Sequence, residues 1–256
     1  MSKYDTYFVD LDGTIYQGTI PIPAGKRFIE RLKGAGKQLL LLTNNSTRTP
    51  QEVVDFLAKY HDIKVDVSEV YTSALATADY VASIANGKQR VQIIGEWGLH
   101  KAFLERGFYI TTHHPDFVVV GMDHNATYAD FATAVLNIQA GAQFIGTNPD
   151  TNLPSEAGML PGAGSLIALV QYAVKPQATI IGKPHATIMD MALERVGQTK
   201  EQVVMVGDNY HTDIQAGQAV GMATLLVYTG VSHPDEVAKE THQPTHQVMS
   251  LDEWEF

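Results

Sequence analysis

Short apolar runs with almost no charge recur along this chain, and the stretches between them carry apolar residues three and four positions apart. Residues 6–9, 38–42, 70–72, 203–206 and 223–227 form such runs. Runs of this kind, alternating with helical patterns, predict parallel strands buried on both faces, hence an α/β fold. A helix is predicted after Pro23, with Phe28, Ile29 and Leu32 on one face and Gly34 or Gly36 as its stop. Thr49, Pro50 and Glu52 supply an N-cap, a proline at the first helical position and a capping-box acid for a helix reaching about residue 60. Further helices are predicted over 73–84, over 184–196 and after Thr212, with a short helix from about 233 and a last strand over 246–249.

A second α/β series starts at Gln89. It holds predicted strands over 91–94, 108–111, 117–120 and 143–145, and predicted helices over 97–106 and 128–140. This series can build a sheet of its own. The organisation expected is a core of residues 1–78 and 178–256, interrupted by an inserted α/β domain over 79–177. The apolar run 179–181 is expected to return to the core sheet.

Four of the runs end in different polar signatures, and ligands of open parallel sheets collect beyond the carboxyl ends of the strands. The signatures are Asp10-Leu11-Asp12-Gly13-Thr14, Thr43-Asn44-Asn45-Ser46, Gly182-Lys183-Pro184, and Gly207-Asp208-Asn209 with Asp213 shortly after. An ionised Asp10 suits nucleophilic attack on phosphorus, giving an acyl phosphate that water can hydrolyse. Asp12 suits an acid that protonates the leaving oxygen and then a base that activates water. The hydroxyl and amides of Thr43 and its neighbours suit a phosphoryl group, and Lys183 would neutralise nucleophile and phosphate together. Asp10 and Asp208, with the Asp12 carbonyl, offer the oxygen ligands Mg²⁺ prefers, and Asp213 would orient metal-bound water or Lys183. Any one signature alone is an ordinary capped turn; their conjunction after four strands points to phosphoryl transfer.

Composition narrows the partners. With 256 residues, 45% apolar and 18% charged, the chain has ample length for a buried core. A formal charge of −10 argues against a nucleic-acid partner held by a broad basic surface. The absence of cysteine excludes disulfides and cysteine–zinc sites. No run approaches the roughly 20 apolar residues of a membrane span, and Asp5, Asp10 and Asp12 interrupt any secretory leader pattern. The expectation is a cytoplasmic protein without a membrane partner. His113, His114 and His124 match no familiar metal-ligand spacing.

Together the signatures resemble all four motifs of the haloacid dehalogenase superfamily in its phosphatase branch: Asp10-x-Asp12-Gly13-Thr14, Thr43 with Asn44 and Asn45, Lys183, and Gly207-Asp208 with Asp213. The dehalogenases of that superfamily lack the second acid, here Asp12. The long insertion between the second and third motifs resembles a type C2 cap. Within it, Gly146-Thr147-Asn148-Pro149-Asp150, Pro154 and Pro161-Gly162-Ala163-Gly164 resemble subfamily IIA, the NagD and p-nitrophenylphosphatase group. The resemblance implies a Rossmann-like parallel-sheet core with an inserted α/β cap that chooses the leaving group. It implies Asp10 as nucleophile, Asp12 as acid and base, and Mg²⁺ held by Asp10, Asp12 and Asp208 with Asp213 behind them. Thr43, Asn44, Asn45, Lys183 and Asn209 would hold the phosphate, and Asn148, Asp150 and Asn152 would line the cap's substrate loop. Relatives that select one metabolite often carry a basic or imidazole residue near the position of Asn152, so its amide leaves the substrate open. The implied activity is a Mg²⁺-dependent phosphomonoesterase on small nucleotide or sugar phosphates. A phosphotransferase or phosphomutase would use the same motifs, and a phosphometabolite sensor is the non-enzyme alternative. The oligomeric state, monomer or homodimer, is left open.

Overall fold

The computed structural model describes residues 4–155 and 157–256. In chain order the elements are β1 (Thr6–Val9), β2 (Tyr16–Gln17), β3 (Ile20–Pro21), α1 (Pro23–Gly34), β4 (Gln38–Thr43), α2 (Pro50–His61), β5 (Val70–Thr72) and α3 (Ser73–Ile84). Then come β6 (Arg90–Ile94), α4 (Trp97–Glu105), β7 (Tyr109–Ile110), β8 (Phe117–Val120), α5 (Tyr128–Gln139), β9 (Gln143–Gly146), β10 (Asn152–Ser155), β11 (Gly158–Pro161) and α6 (Ala163–Ala173). The chain ends with β12 (Thr179–Ile180), α7 (Ala186–Val196), β13 (Val203–Gly207), α8 (Gln215–Ala219), β14 (Ala223–Val227), α9 (Pro234–Val237) and β15 (His246–Val248).

Two compact units emerge. The first comprises the chain up to Thr43, Pro50–Tyr71 and Lys183–Phe256; the second comprises Asn44–Thr49 and Thr72–Gly182. The first sheet has the order β15-β14-β13-β1-β4-β5, with β1 parallel to both β4 and β13. The chain moves outward from β1 through β4 to β5, then resumes on the other side of β1 with β13, β14 and β15. The neighbouring pair β1 and β13 is therefore a topological switch point, where open α/β sheets place their ligands. All four residues of β1 and all five of β13 are buried, as strands covered on both faces require. Tyr7, Val9, Phe28, Leu32, Leu41 and Val204 form the centre of this unit's core. α1 enters it because Pro23 opens the helix and Phe28, Ile29 and Leu32 fall on its buried face.

The second sheet has the order β12-β9-β8-β6-β7, also parallel throughout. Val118, Val120, Phe131, Phe144 and Ile167 anchor a separate core between this sheet and α5 and α6. A reciprocal capping box of Thr127 and Asp130 starts α5. No helix among the described residues is long and apolar enough to cross a membrane.

Two features depart from the sequence expectations. The run before Lys183 does not join the first sheet: β12 is the edge strand of the second, paired in parallel with β9. Burial pattern identifies a strand, but the partner of so short a strand is a tertiary fact. Two hairpins were also unexpected, β2–β3 and β10–β11. Every residue of β10 and β11 is exposed, so no alternation of apolar and polar positions marks them. Pro154, Pro161 and Gly158 argue against strand on local grounds as well.

Candidate active site

Beyond the ends of β1 and β13 the first unit gathers charged side chains that are almost wholly buried. Asp10 is the residue after β1, and Asp208 is the residue after β13. Lys183 is 2% exposed and donates to Asp10 Oδ1 at 2.6 Å, Asp213 Oδ1 at 2.7 Å and the Leu42 carbonyl at 3.0 Å. All three donor hydrogens of the ammonium are thus directed at oxygens. Asp213 sits in the turn of π-helix over Tyr210–Ile214, and its other oxygen accepts from the Asn209 backbone N–H at 3.1 Å. Asp208 accepts from Thr14 Oγ1 at 3.0 Å and from the Val231 backbone N–H at 2.7 Å.

Backbone shape makes room for this. Gly13 comes directly after Asp12 with φ +90°, and a Cβ there would lie 2.4 Å from Asp208 Oδ2. A Cβ at Gly230 would lie 2.0 Å from the same oxygen. No side chain fits at either position while Asp208 keeps its place, and Gly13 also needs the left-handed region.

Burial governs the electrostatics. Desolvation pushes the Asp10 carboxyl well above its ordinary range; Lys183 pulls it back, while Asp213 and Asp208 push it further up. Asp208 rises to about 6, chiefly by burial and by the charge of Asp213, against the Val231 and Thr14 hydrogen bonds. Burial pulls Lys183 down, yet the charges of Asp10 and Asp213 and its hydrogen bonds to both carry it above the ordinary lysine value. Three carboxylates against one ammonium leave two negative charges uncompensated when all are ionised. Asp10, Asp208 and Asp213 each place an oxygen within 4.8 Å of the others, the only such group among the described residues. A divalent, oxygen-seeking cation fits this charge and donor set.

The other sequence candidates are more dispersed. Asp12 is exposed, and its Oδ1 accepts from the Gly18 N–H at 3.1 Å, in the turn joining β2 to β3. Its side chain is outside the carboxylate group. Thr43 closes β4. Asn44 Nδ2 donates to both Asp150 oxygens, at 3.1 and 3.3 Å. Asn45 Oδ1 accepts from the backbone N–H groups of Thr47 and Arg48, an Asx turn. Asn209 Oδ1 accepts from the His211 N–H and so caps the π-helical turn. Asn148 is buried and donates to Asp150, whereas Asn152 is exposed at the start of β10. Sequence reasoning missed the roles of Thr14, Gly230 and Val231. Thr14 lies inside the first signature, and residues 229–231 come soon after β14, so the strand-end rule that found Asp208 could have found them.

The whole chain is similar to known proteins. A family model described as haloacid dehalogenase-like hydrolase matches residues 7–109, and one described as HAD-hydrolase-like matches residues 180–254. The chain is 42% identical to the 5′-nucleotidase YutF of Bacillus subtilis over 254 residues, 99% of this chain and 98% of that one. It is 44% identical to the acid sugar phosphatase of Staphylococcus aureus, covering 99% of this chain and 97% of that one. A double mutant of a thermostable NPPase from Geobacillus stearothermophilus superposes with a TM-score of 0.93 at 42% identity, over 100% of this chain and 99% of the other. NagD from E. coli K-12 does so with a TM-score of 0.91 at 32% identity, over 98% of each chain.

Proposed function

This chain belongs to the haloacid dehalogenase-like hydrolases as a phosphatase of the NagD-like branch, and from that premise we propose that it is a Mg²⁺-dependent phosphomonoesterase working through an aspartyl phosphate. Its substrates are small, soluble phosphate esters: nucleoside monophosphates, sugar phosphates and the chromogenic p-nitrophenyl phosphate, the classes for which its relatives are named. The observation that carries this reading is the buried Asp10 carboxylate, held at 2.6 Å by Lys183 beside Asp208 and Asp213.

Asp10 attacks phosphorus, the bond from phosphorus to the ester oxygen breaks, and Asp12 gives its proton to the departing oxygen. Asp12 then takes a proton from water, which attacks the aspartyl phosphate. The bond from Asp10 to phosphorus breaks, inorganic phosphate leaves and the free carboxylate returns. Asp12 is exposed and can carry this proton on Oδ2 while Oδ1 accepts from the Gly18 N–H. Asp10 and Asp208, with the Asp12 backbone carbonyl, are the proposed Mg²⁺ ligands, and Asp213 fixes Lys183. Bound Mg²⁺ supplies charge that offsets the buried carboxylates and the phosphoryl oxygens. Thr43, Asn44, Asn45, Lys183 and Asn209 hold the phosphate. The second unit, which we take as the cap, selects the leaving group, and the protein acts in the cytoplasm.

The test is phosphate release from p-nitrophenyl phosphate, nucleoside monophosphates and sugar phosphates, with Mg²⁺ or with chelator, for wild type and Asp10→Asn. Release that requires both Mg²⁺ and Asp10 supports the proposal. Binding of esters without turnover would overturn it in favour of a sensor, and transfer to an added alcohol in place of water would favour a phosphotransferase.

A further inference from the structure

Within the second unit, a network of amides, hydroxyls and one carboxylate fixes two stretches of backbone that lead directly to proposed phosphate-holding groups. One stretch is 44–48, which continues from Thr43. Asn44 Nδ2 donates to Asp150 at 3.1 Å, and the Asn44 carbonyl accepts from Ser73 Oγ at 2.6 Å. The Thr47 carbonyl accepts from the Gly98 N–H at 2.9 Å, and Ser46 Oγ from the Met122 N–H at 3.4 Å. The other stretch is Gly182, which precedes Lys183. Its N–H donates to the Thr147 carbonyl at 2.8 Å. Its α-carbon sits so close to Asn44 Oδ1 and Asn148 Cβ that a Cβ would lie 2.7 Å from each.

Asp150 joins the two stretches. Its Oδ2 accepts from Asn148 Nδ2 at 2.8 Å as well as from Asn44, and Asn148 Oδ1 accepts from Thr147 Oγ1 at 2.7 Å. Its own backbone is pinned, because its carbonyl accepts from the Gly164 N–H at 2.9 Å in the first turn of α6. Neutral side-chain amides thus supply three hydrogen bonds to this carboxylate. A carboxylate aimed at a phosphate ester would instead meet like charge.

Resting on the function proposed above, we infer that Asp150 is a positioning residue for phosphate capture and does not contact the leaving group. Its carboxylate orders Asn44 and, through Asn148 and Gly182, the entry to Lys183. Groups set in this way act on the phosphoryl end common to all substrates. Losing Asp150 therefore lowers efficiency by one factor for every ester, whatever the leaving group.

The experiment compares wild type, Asp150→Ala, Asp150→Asn, Asn44→Ala and the Asn44→Ala/Asp150→Ala double variant. It measures kcat and KM on p-nitrophenyl phosphate, a nucleoside monophosphate and a sugar phosphate. It also measures calorimetric binding of inorganic phosphate with Mg²⁺, and thermal melting of each protein. Asp150→Ala is expected to lower kcat/KM by about 10- to 100-fold, equally for all three esters, and to weaken inorganic phosphate binding in parallel. Asp150→Asn retains an acceptor for Asn44 and recovers most of the loss. In the Asn44→Ala background, Asp150→Ala adds little. A loss confined to one ester with phosphate binding unchanged would overturn the inference, as would losses that simply add in the double variant. Should wild type bind phosphate yet hydrolyse no ester, the phosphatase reading falls, while the binding comparison still decides the role of Asp150.

Discussion

The two units are built on one plan and differ in the residues set just beyond their strands. Each has an open parallel sheet that reverses its strand order, with polar residues at the carboxyl ends. In the first unit those residues are Asp10, Asp208 and Asp213, joined by Lys183 from the segment after β12, full charges with little access to water. In the second, the residues after β9 are Thr147 and Asn148, neutral and hydrogen-bonded and followed by Asp150, while the acids after β6 and β8, Glu96 and Asp123, are only half-buried. Shared architecture thus sets where a ligand can sit, and residue type decides whether the place supports chemistry or only order. Buried charge held close to cations and carboxylates is costly to maintain. Neutral hydrogen bonding orders a loop at much lower cost.

The widest contrast is at Asp10. Asp10→Asn keeps the size and most hydrogen bonding but removes the nucleophile, so turnover should fall by roughly 10⁴-fold or more while the melting temperature changes little. Steady-state rates and a melting curve check this, and near-normal turnover would remove Asp10 from its role. Lys183→Met is the next largest. It leaves Asp10 and Asp213 buried without their shared cation, a loss of about 3–5 kcal/mol in urea unfolding. A stability equal to wild type would mean that the ammonium does not hold these carboxylates together.

A third prediction uses proton linkage at Asp208, whose carboxyl rises in the fold from 3.8 to about 6. Between those values the folded chain holds a proton that the unfolded chain has lost. The stabilising contribution is therefore complete below 3.8 and disappears as pH climbs through about 6. Mg²⁺ requires the ionised carboxylate, so protons compete with it. The rise in melting temperature produced by Mg²⁺ should be small at about pH 5 and grow through about pH 6 towards neutrality. Equal Mg²⁺ shifts from about pH 5 to about pH 7.5, measured by calorimetric scans, would mean that no carboxyl titrating near pH 6 holds the ion.

The same contrast explains how legible these regions are in the sequence. β1, β4 and β13 stand out because strands covered on both faces carry no charge, and Asp10, Thr43 and Asp208 stand out because they end them. Lys183 is found from its motif, but the strand before it is expected in the wrong sheet, since local pattern does not name a strand's partner. Asp213 reads as orienting either metal-bound water or Lys183, and it pairs with Lys183 at 2.7 Å. The bond from Asn44 to Asp150 spans 106 positions and joins two loops of ordinary composition, so nothing local announces it. The hairpin β10–β11 is invisible because it lies outside both cores and its composition is that of a loop.

The finest test stays within the second unit, at two asparagines four residues apart. Asn148 is 5% exposed, donates to Asp150 and accepts from Thr147, so Asn148→Ala strands a buried hydroxyl and removes a donor from the carboxylate. That should lower stability by about 1–3 kcal/mol. Asn152 opens an exposed hairpin, and its Oδ1 accepts from the hydroxyl of its neighbour Thr151. Asn152→Ala should stay within about 0.5 kcal/mol of wild type. Urea unfolding of both variants separates ordering from exposure, and activity adds a second reading. If Asn152→Ala leaves stability alone yet changes the ranking of esters, its side chain meets the leaving group, and selection and ordering belong to different residues of one loop. If it changes neither, selection by the second unit rests on residues beyond this loop.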